Sequence, residues 1–377
     1  MPDMTARYAA LTPDNHRSDW VDVAKALCII LVVMMHSTLG YQEDIGHKGF
    51  LGPVVAYFAP FRVPTLFILS GLFLAKAMQR NWSEFLNARI GHFVYFYLLW
   101  AFIQCLFKCG AVVLTSPVLL VEHMAWTIAE PYGTLWFIHL LAVFSLVTYA
   151  LRRVNPLIVV AAAAVLHILP IKTGSTLVDE FALRYVFFVM GWAFATRFFM
   201  VATLACAMPG RALISVSVFA LLNGLAVHGF GISKWPGISL LLGTAGAAAL
   251  IAIAVWLSRL PHIGRIFASL GQQTLVVFVA FFLPMAITRV ILVKLGIGAG
   301  GGWIIGFASL LITAVAVITP LLMARLVQGT WFAFLFQRPG FGLSGFERPL
   351  AAPILSEVSL QAHSSREGPR ETAQPKA

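Results

Sequence analysis

Ten stretches of mostly apolar residues follow one another between about residue 23 and residue 335. An α-helix needs about 20 apolar residues to cross a bilayer, where only helices and closed barrels satisfy their backbone hydrogen bonds. With 60% hydrophobic and 11% charged residues and a mean hydropathy of +0.87, the chain is too apolar for a soluble protein. We therefore predict an all-α fold, a polytopic membrane helical bundle with about ten transmembrane helices.

The apolar stretches define one membrane domain with two polar flanks. We predict a transmembrane domain over residues 22–335, a cytoplasmic N-terminal tail over residues 1–21 and a disordered cytoplasmic tail over residues 336–377. No small-residue cleavage site follows the first apolar stretch, so we expect it to stay as the first helix. The predicted helices are Ala24–Leu39, Pro53–Ala77, Ile90–Leu114, Leu135–Leu151, Pro156–Pro170, Phe181–Phe199, Ala212–Val227, Gly237–Leu257, Leu270–Val290 and Trp303–Val327.

The charged residues indicate the orientation of this bundle. Most lysines and arginines fall on the same side as the N-terminus, whereas loops on the opposite side carry mainly acidic residues. The positive-inside rule therefore predicts that both termini are cytoplasmic. The net charge of +11 does not indicate nucleic-acid binding, because the basic residues are scattered singly between apolar segments.

Cysteine and glycine patterns add no further site. The four cysteines lie in apolar stretches, without a Cys-x-x-Cys pair or an adjacent histidine, so we expect neither a metal nor a disulfide. The glycine-rich segment 296–302 follows no strand, which favours a flexible connector over a nucleotide-binding loop.

The first predicted helix carries three ionisable residues in or beside the membrane: Asp22, Lys25 and His36. Such residues are expensive at membrane depth, so they usually face a protein interior and serve chemistry or transport. Lys25 and His36 are eleven positions apart, which places them on nearly the same helix face, about 16 Å apart along the axis. Asp22 precedes Lys25 by three positions and can pair with it.

The second predicted helix contains Arg62 near mid-membrane, where it needs an anionic partner or a polar cavity. Pro60 and Pro64 flank Arg62 and free backbone carbonyls that could line such a cavity. Arg62 could instead serve only to pair with those carbonyls. Ser70, later in the same helix, could bind substrate or only pack between helices.

Together these segments resemble the acyltransferase-3 family of integral membrane O-acyltransferases, in particular its bacterial inner-membrane members. The resemblance spans about residues 17–330. The segments that carry it are Asp22-x-x-Lys25 followed by ten residues and His36, Phe61-Arg62-Val-Pro-Thr-Leu-Phe-Ile-Leu-Ser70-Gly71, Arg89, Leu135-Trp136-Phe137-Ile138, and Arg184 to Gly191.

The resemblance implies transfer of an acetyl or succinyl group from cytoplasmic acyl-CoA to a hydroxyl of a surface polysaccharide or oligosaccharide. The family's essential histidine corresponds to His36, and its basic residue eleven positions earlier corresponds to Lys25. We assign His36, Lys25 and Arg62 as catalytic. We assign the remaining charged, hydroxyl and aromatic positions of these segments to substrate binding: Asp22, Ser70, Arg89, Trp136 and Arg184.

Two positions depart from the family pattern. A cytoplasmic Arg-x-x-Arg sequence is represented here by Arg89-Ile-Gly-His92, which weakens a donor-binding role for His92. A histidine that many members carry late in the ninth helix has no counterpart in residues 277–282.

The chemistry of these residue types agrees with the implied reaction. Histidine can remove the proton of an acceptor hydroxyl as a general base, or it can accept the acyl group covalently. The 16 Å between Lys25 and His36 suits a donor whose phosphates stay at the cytoplasmic end while its arm carries the thioester inward. Arg62 could stabilise an oxyanion or bind a substrate carboxylate.

Two other classes of membrane protein would also have about ten transmembrane helices. A transporter, flippase or exporter of a glycan would need buried charges, but no second copy of the Lys25 to His36 pattern marks an inverted repeat. A non-catalytic membrane scaffold would leave His36 and Arg62 unexplained. We therefore expect an enzyme in the bacterial inner membrane, in contact with lipid, acyl-CoA and a free or lipid-linked glycan, without a bound cofactor.

Overall fold

The computed structural model describes residues 19–109 and 117–339, and every regular element within these residues is helical. The helices are α1 (Asp19–Ile45), α2 (Leu51–Phe58), α3 (Arg62–Gly71), α4 (Leu74–Met78), α5 (Trp82–Phe85), α6 (Gly91–Cys109), α7 (Pro117–Ala129), α8 (Trp136–Ala150), α9 (Pro156–Ile168), α10 (Thr176–Ala193), α11 (Ala195–Ala207), α12 (Pro209–Gly224), α13 (Pro236–Ser258), α14 (Pro261–Gln272), α15 (Thr274–Ala280), α16 (Phe282–Lys294) and α17 (Gly301–Val327). Short π-helical turns follow α5 and α12, and 3-10 turns precede α8 and α17.

Seven helical segments among the described residues are long and apolar enough to cross a membrane, and two bent helix pairs would raise the number to nine. The predicted polytopic helical bundle is therefore confirmed, whereas the number of ten helices is not. The predicted fifth helix forms as α9, but its 13 residues span only about 20 Å. That length is shorter than the hydrocarbon core of about 30 Å.

Several spans are broken rather than straight. The second is interrupted at residues 59–61, where Pro60 has no N–H to continue the helix. The pair α10 and α11 bends by 73° and the pair α14 and α15 by 59°. The prediction of one continuous ninth helix over Leu270–Val290 is thus wrong, because the backbone leaves helical values at Gln273 (φ −103°, ψ 18°).

The central helix of the bundle is α1, which packs against α3, α13, α14 and α17. Glycines let neighbouring backbones approach closely at two crossings. A Cβ at Gly71 of α3 would overlap the carbonyl oxygen of Phe188 on α10, and one at Gly191 of α10 would overlap the carbonyl oxygen of Ile68. On the other side of the bundle, Gly271 of α14 lies directly against the backbone of Asp22. Helices within a membrane have no hydrophobic driving force for association, so close packing at small residues stabilises such crossings instead.

Two predicted loops are shorter than expected. Helix α1 continues to Ile45, so the polar loop predicted over Tyr41–Gly52 is reduced to residues 46–50. Residues 117–129, predicted to lie in a loop, form α7. The end of the predicted third helix, at residues 110–114, lies outside the described residues.

Residues that follow the last transmembrane helix contact the helical bundle. Phe336 packs on Trp100, with ring centroids 5.6 Å apart, and the Arg338 guanidinium donates to the Asn87 carbonyl oxygen. Residues 340–377 of the predicted disordered tail (336–377) and residues 1–18 of the predicted N-terminal tail (1–21) lie outside the described residues.

Candidate active site

The break in the second span positions Arg62 at the first residue of α3. Its Nη1 donates to the carbonyl oxygen of Val55 in α2, over 2.8 Å, which satisfies one of the carbonyls near the break. Arg62 is buried, with 9% of its surface exposed, and its Nε finds no hydrogen-bond partner within the described chain. Pairing with a backbone carbonyl therefore accounts for the Nη1 group of the guanidinium and leaves its Nε–H available.

His36 lies in the second half of α1, as a half-buried residue. Its imidazole packs on Phe281, with ring centroids 5.5 Å apart. Phe281 is the residue between α15 and α16, in the stretch where the family's late histidine has no counterpart. The guanidinium charges of Arg62 and Arg289 both act on the His36 ring. His36 thus lies in a positive field, which favours negative charge that develops on a substrate atom beside the ring.

Arg184 and Trp136 belong to the same region. The Arg184 guanidinium lies over the Trp136 ring, 4.8 Å from its centroid, and pairs with the Glu180 carboxylate one turn earlier on α10. The charge of Arg184 also acts on Arg62. We use the name His36 cluster for His36, Arg62, Trp136 and Arg184, which lie on α1, α3, α8 and α10 and are linked by these charge interactions and by the contact of Arg184 with Trp136.

The sequence did not predict that Arg289, Asp44 and Glu180 belong to this region. Arg289 donates to the Asp44 carboxylate, at 2.9 Å from Nε to Oδ2, and to the Gly40 carbonyl oxygen, at 2.7 Å. This contact joins α16 to the end of α1 across 245 residues, a separation that no local pattern reveals. Glu180 was predicted to lie in a loop, although its i,i+4 spacing to Arg184 is a recognisable helical ion-pair signal.

The other end of α1 carries Asp22 and Lys25. Lys25 Nζ lies 3.4 Å from Asp22 Oδ1, so the predicted pair forms. The Asp22 side chain is 1% exposed and that of Lys25 is 28% exposed, which leaves the ammonium accessible. Lys25 also lies 5.9 Å from the ring centroid of Phe73, in the turn after α3. A continuous α1 holds Lys25 and His36 about 16 Å apart along the axis, as the spacing predicts.

Ser70 and Arg89 join helices at the same end of α3 as Phe73. Arg89 Nη2 donates to the Ser70 carbonyl oxygen at 2.8 Å, and its Nε donates to Ser145 Oγ on α8 at 3.1 Å. The Ser70 hydroxyl donates to Leu66 within α3. We use the name Lys25 end for Asp22, Lys25, Ser70 and Arg89. These contacts favour the helix-packing interpretation of Ser70. Arg89 connects its own segment to α3 and α8.

The described residues contain no group of three or more histidine, cysteine or acidic side chains that could hold a metal ion. His92, which replaces the second arginine of the family pattern, packs its ring on Phe96, with centroids 5.0 Å apart.

The segment of the chain that matches a known family includes both ends of α1. Residues 18–323 match the acyltransferase-3 family, which is described as an acyltransferase domain. This segment contains every residue of the His36 cluster and of the Lys25 end. No curated protein and no solved structure matches the chain. The protein belongs to the acyltransferase-3 family and is a multi-pass membrane acyltransferase.

Proposed function

We propose that the protein transfers an acyl group, acetyl or succinyl, from cytoplasmic acyl-CoA to a hydroxyl of a cell-surface or exported glycan in the bacterial inner membrane. The observation that carries this proposal is the arrangement along α1. A partly exposed lysine side chain at Lys25 and an imidazole at His36 share one continuous helix. The Arg62 Nε–H has no partner in the described residues, and the Arg62 charge acts on the imidazole.

The donor enters from the Lys25 end in this proposal. Lysine is a common ligand for phosphates as a point charge, and Lys25 is the exposed member of its pair with Asp22. With the phosphates of acyl-CoA held there, the extended arm of the donor runs along α1 toward His36. Asp22 keeps the ammonium in position, while Ser70 and Arg89 hold the end of α3 against α8.

The reaction takes place at the His36 cluster. His36 removes the proton from the acceptor hydroxyl, whose oxygen attacks the thioester carbonyl carbon. The free N–H of Arg62 stabilises the resulting oxyanion. The carbon–sulfur bond then breaks, and His36 returns the proton to the CoA sulfur, which leaves as a thiol. If His36 instead accepts the acyl group covalently, the same groups serve two successive transfers.

Trp136 and Arg184 hold the acceptor side of the site in this proposal. An indole ring offers a flat apolar face to a sugar ring, and the guanidinium stacked on it restricts its orientation. The Glu180 carboxylate in turn fixes Arg184.

Mass analysis of the surface polysaccharide from cells with and without the gene tests the proposed function. The proposal predicts an unchanged amount of polysaccharide that lacks the mass of one acyl group per modified sugar. Inner-membrane vesicles supplied with labelled acetyl-CoA or succinyl-CoA then identify the donor. Loss of the polysaccharide itself from the cell surface would support a glycan exporter instead.

A further inference from the structure

A cavity of about 590 Å³ lies between α11, α12 and α13. Each of these helices turns one face toward the cavity, since its lining residues recur three or four positions apart. On α13 the lining side chains are only methyl groups, which leave open the space that larger residues would fill: Ala245, Ala248, Ala249 and Ala252.

The wall of the cavity is almost entirely apolar. Among the lining side chains, all within the described part of the chain, only Arg211 and Ser215 carry nitrogen or oxygen. The Ser215 hydroxyl donates to the Arg211 carbonyl oxygen within α12, at 3.1 Å, so it already has a partner. Such a wall offers water few hydrogen bonds and favours an apolar occupant.

The cavity lies at the lipid-facing edge of the bundle. Helix α12 begins the candidate membrane span Pro209–Gly229, and only 11% of the most apolar stretch of this span is buried. Apolar side chains on its outer face are exposed: Leu213, Ile214, Val218, Leu221 and Leu222. Leu204 and Met208 of α11 line the cavity and are themselves exposed. Membrane lipid is therefore the apolar molecule that meets this cavity.

Arg211 lies at one end of the cavity, in the first turn of α12. Its guanidinium is exposed, and within the described residues it donates to the Met208 thioether, at 3.5 Å, which is a weak acceptor. An arginine at the start of a membrane span lies at the depth of the lipid headgroups. Its remaining N–H groups are available to a phosphate, which a guanidinium binds in bidentate geometry.

The charge around Arg211 favours an anionic headgroup. A second guanidinium, that of Arg259, contacts Cys206 Sγ near the C-terminal end of α11. No acidic residue occurs in the sequence between Glu180 and Glu347, so α11, α12 and α13 contain no carboxylate to neutralise these cations. An anionic phospholipid supplies the negative charge, whereas a zwitterionic phospholipid brings an ammonium group of its own.

The dimensions of the cavity suit one acyl chain. Arg211 and Phe219 line it eight positions apart on α12, about 12 Å along the helix axis. A chain that starts at a phosphate on Arg211 would thus run parallel to the helices toward Phe219. The Phe219 ring packs on Phe61, with centroids 5.3 Å apart, and Phe61 directly precedes Arg62. The cavity therefore ends one aromatic contact away from the break in the second span.

We propose that this cavity binds an anionic phospholipid, with the phosphate on Arg211 and one acyl chain between α11, α12 and α13. The site is separate from the His36 cluster, and its existence does not depend on acyl transfer. Because α12 is a peripheral helix, the bound lipid connects it to α11 and α13 and stabilises the bundle.

Native mass spectrometry of the full chain in detergent tests the role of Arg211. The probes are dioleoyl-phosphatidylglycerol, which is anionic, and dioleoyl-phosphatidylethanolamine, which is zwitterionic. We expect the wild type to bind phosphatidylglycerol about tenfold more tightly, and Arg211→Gln to lose most of this preference. The matched control is Arg153→Gln, at an exposed arginine between α8 and α9, which should keep the preference.

A second pair of variants tests the acyl-chain space. Ala248→Phe fills part of the cavity and should weaken the binding of both lipids about tenfold or more. Ala162→Phe, at an exposed alanine of α9, adds the same ring outside the cavity and should leave both affinities unchanged. Arg211→Gln keeps the inference falsifiable if Ala248→Phe fails to fold.

Photocrosslinking then locates the lipid. Phosphatidylglycerol with a diazirine in one acyl chain should label peptides of α11, α12 and α13 in the wild type. Three results would overturn the inference: equal affinity of the wild type for the two lipids, an unchanged preference in Arg211→Gln, or labelling confined to other helices. Tighter binding of decaprenyl phosphate than of phosphatidylglycerol would also overturn it, and would assign the cavity to a polyprenyl-linked sugar carrier.

Discussion

The imidazole of His36 lies against the ring of Phe281, 5.5 Å between centroids, at the junction of α15 and α16. The two rings are tilted by 38°, so an apolar side chain borders the imidazole. Arg62 and Arg289 supply charge to the same ring from α3 and α16. The arrangement fits a histidine that exchanges protons with a bound substrate.

Arg62→Lys keeps a positive charge but loses the guanidinium Nε–H, which has no partner in the described residues. We expect kcat for acyl transfer in vesicles to fall by about 10²–10³-fold, as when one oxyanion donor is removed. The KM values should change little, because the interaction forms with the developing charge. The control is Arg265→Lys, on an exposed arginine of α14. Equal kcat in Arg62→Lys and wild type would exclude the oxyanion role.

Lys25→Met removes the accessible ammonium at the other end of α1 and keeps the length of the side chain. We expect the KM for acyl-CoA to rise about tenfold while the KM for the glycan stays constant, because only the donor carries phosphates. The wild-type KM for acyl-CoA should also rise with ionic strength. Lys234→Met, on an exposed loop lysine between α12 and α13, provides the control. A change in the glycan KM alone would contradict donor binding at Lys25.

Gly71→Ala should destabilise the crossing of α3 and α10, because the new methyl group overlaps the backbone of Phe188. Overpacking of this kind costs about 1–3 kcal/mol. We expect a lower Tm in detergent and a reduced yield of folded protein. Gly210→Ala, in the first turn of α12, meets nothing within 4 Å and should leave the Tm equal or slightly higher. Equal Tm values for both variants would show that the crossing has room to relax.

Much of the fold follows from local patterns. Apolar length predicts the bundle, and the eleven-residue spacing predicts how far Lys25 lies from His36 along α1. The bends were not predictable in this way. Pro60 marks one of them, but Phe194 and Gln273 are ordinary helix residues, and their breaks depend on the packing of neighbouring helices.

The residues of the site likewise fall into those that the local sequence reveals and those that it does not. His36, Arg62 and the Asp22–Lys25 pair stand out because a charge in an apolar helix is expensive. Arg289 and Phe281 do not stand out, because Arg289 lies at the end of a predicted helix and a phenylalanine is common in apolar helices. Their roles depend on contacts between distant parts of the chain, such as the pair of Arg289 with Asp44, which only the fold reveals.

Acyl transfer by vesicles that contain His36→Ala tests whether His36 carries out the transfer. Labelled acetyl-CoA or succinyl-CoA is the donor, and the unacylated polysaccharide is the acceptor. His262→Ala, at an exposed position of α14, controls for expression and for the loss of a histidine. We predict that His36→Ala loses at least about 10²-fold in rate at normal protein levels while His262→Ala keeps the wild-type rate. Full transfer by His36→Ala would contradict it.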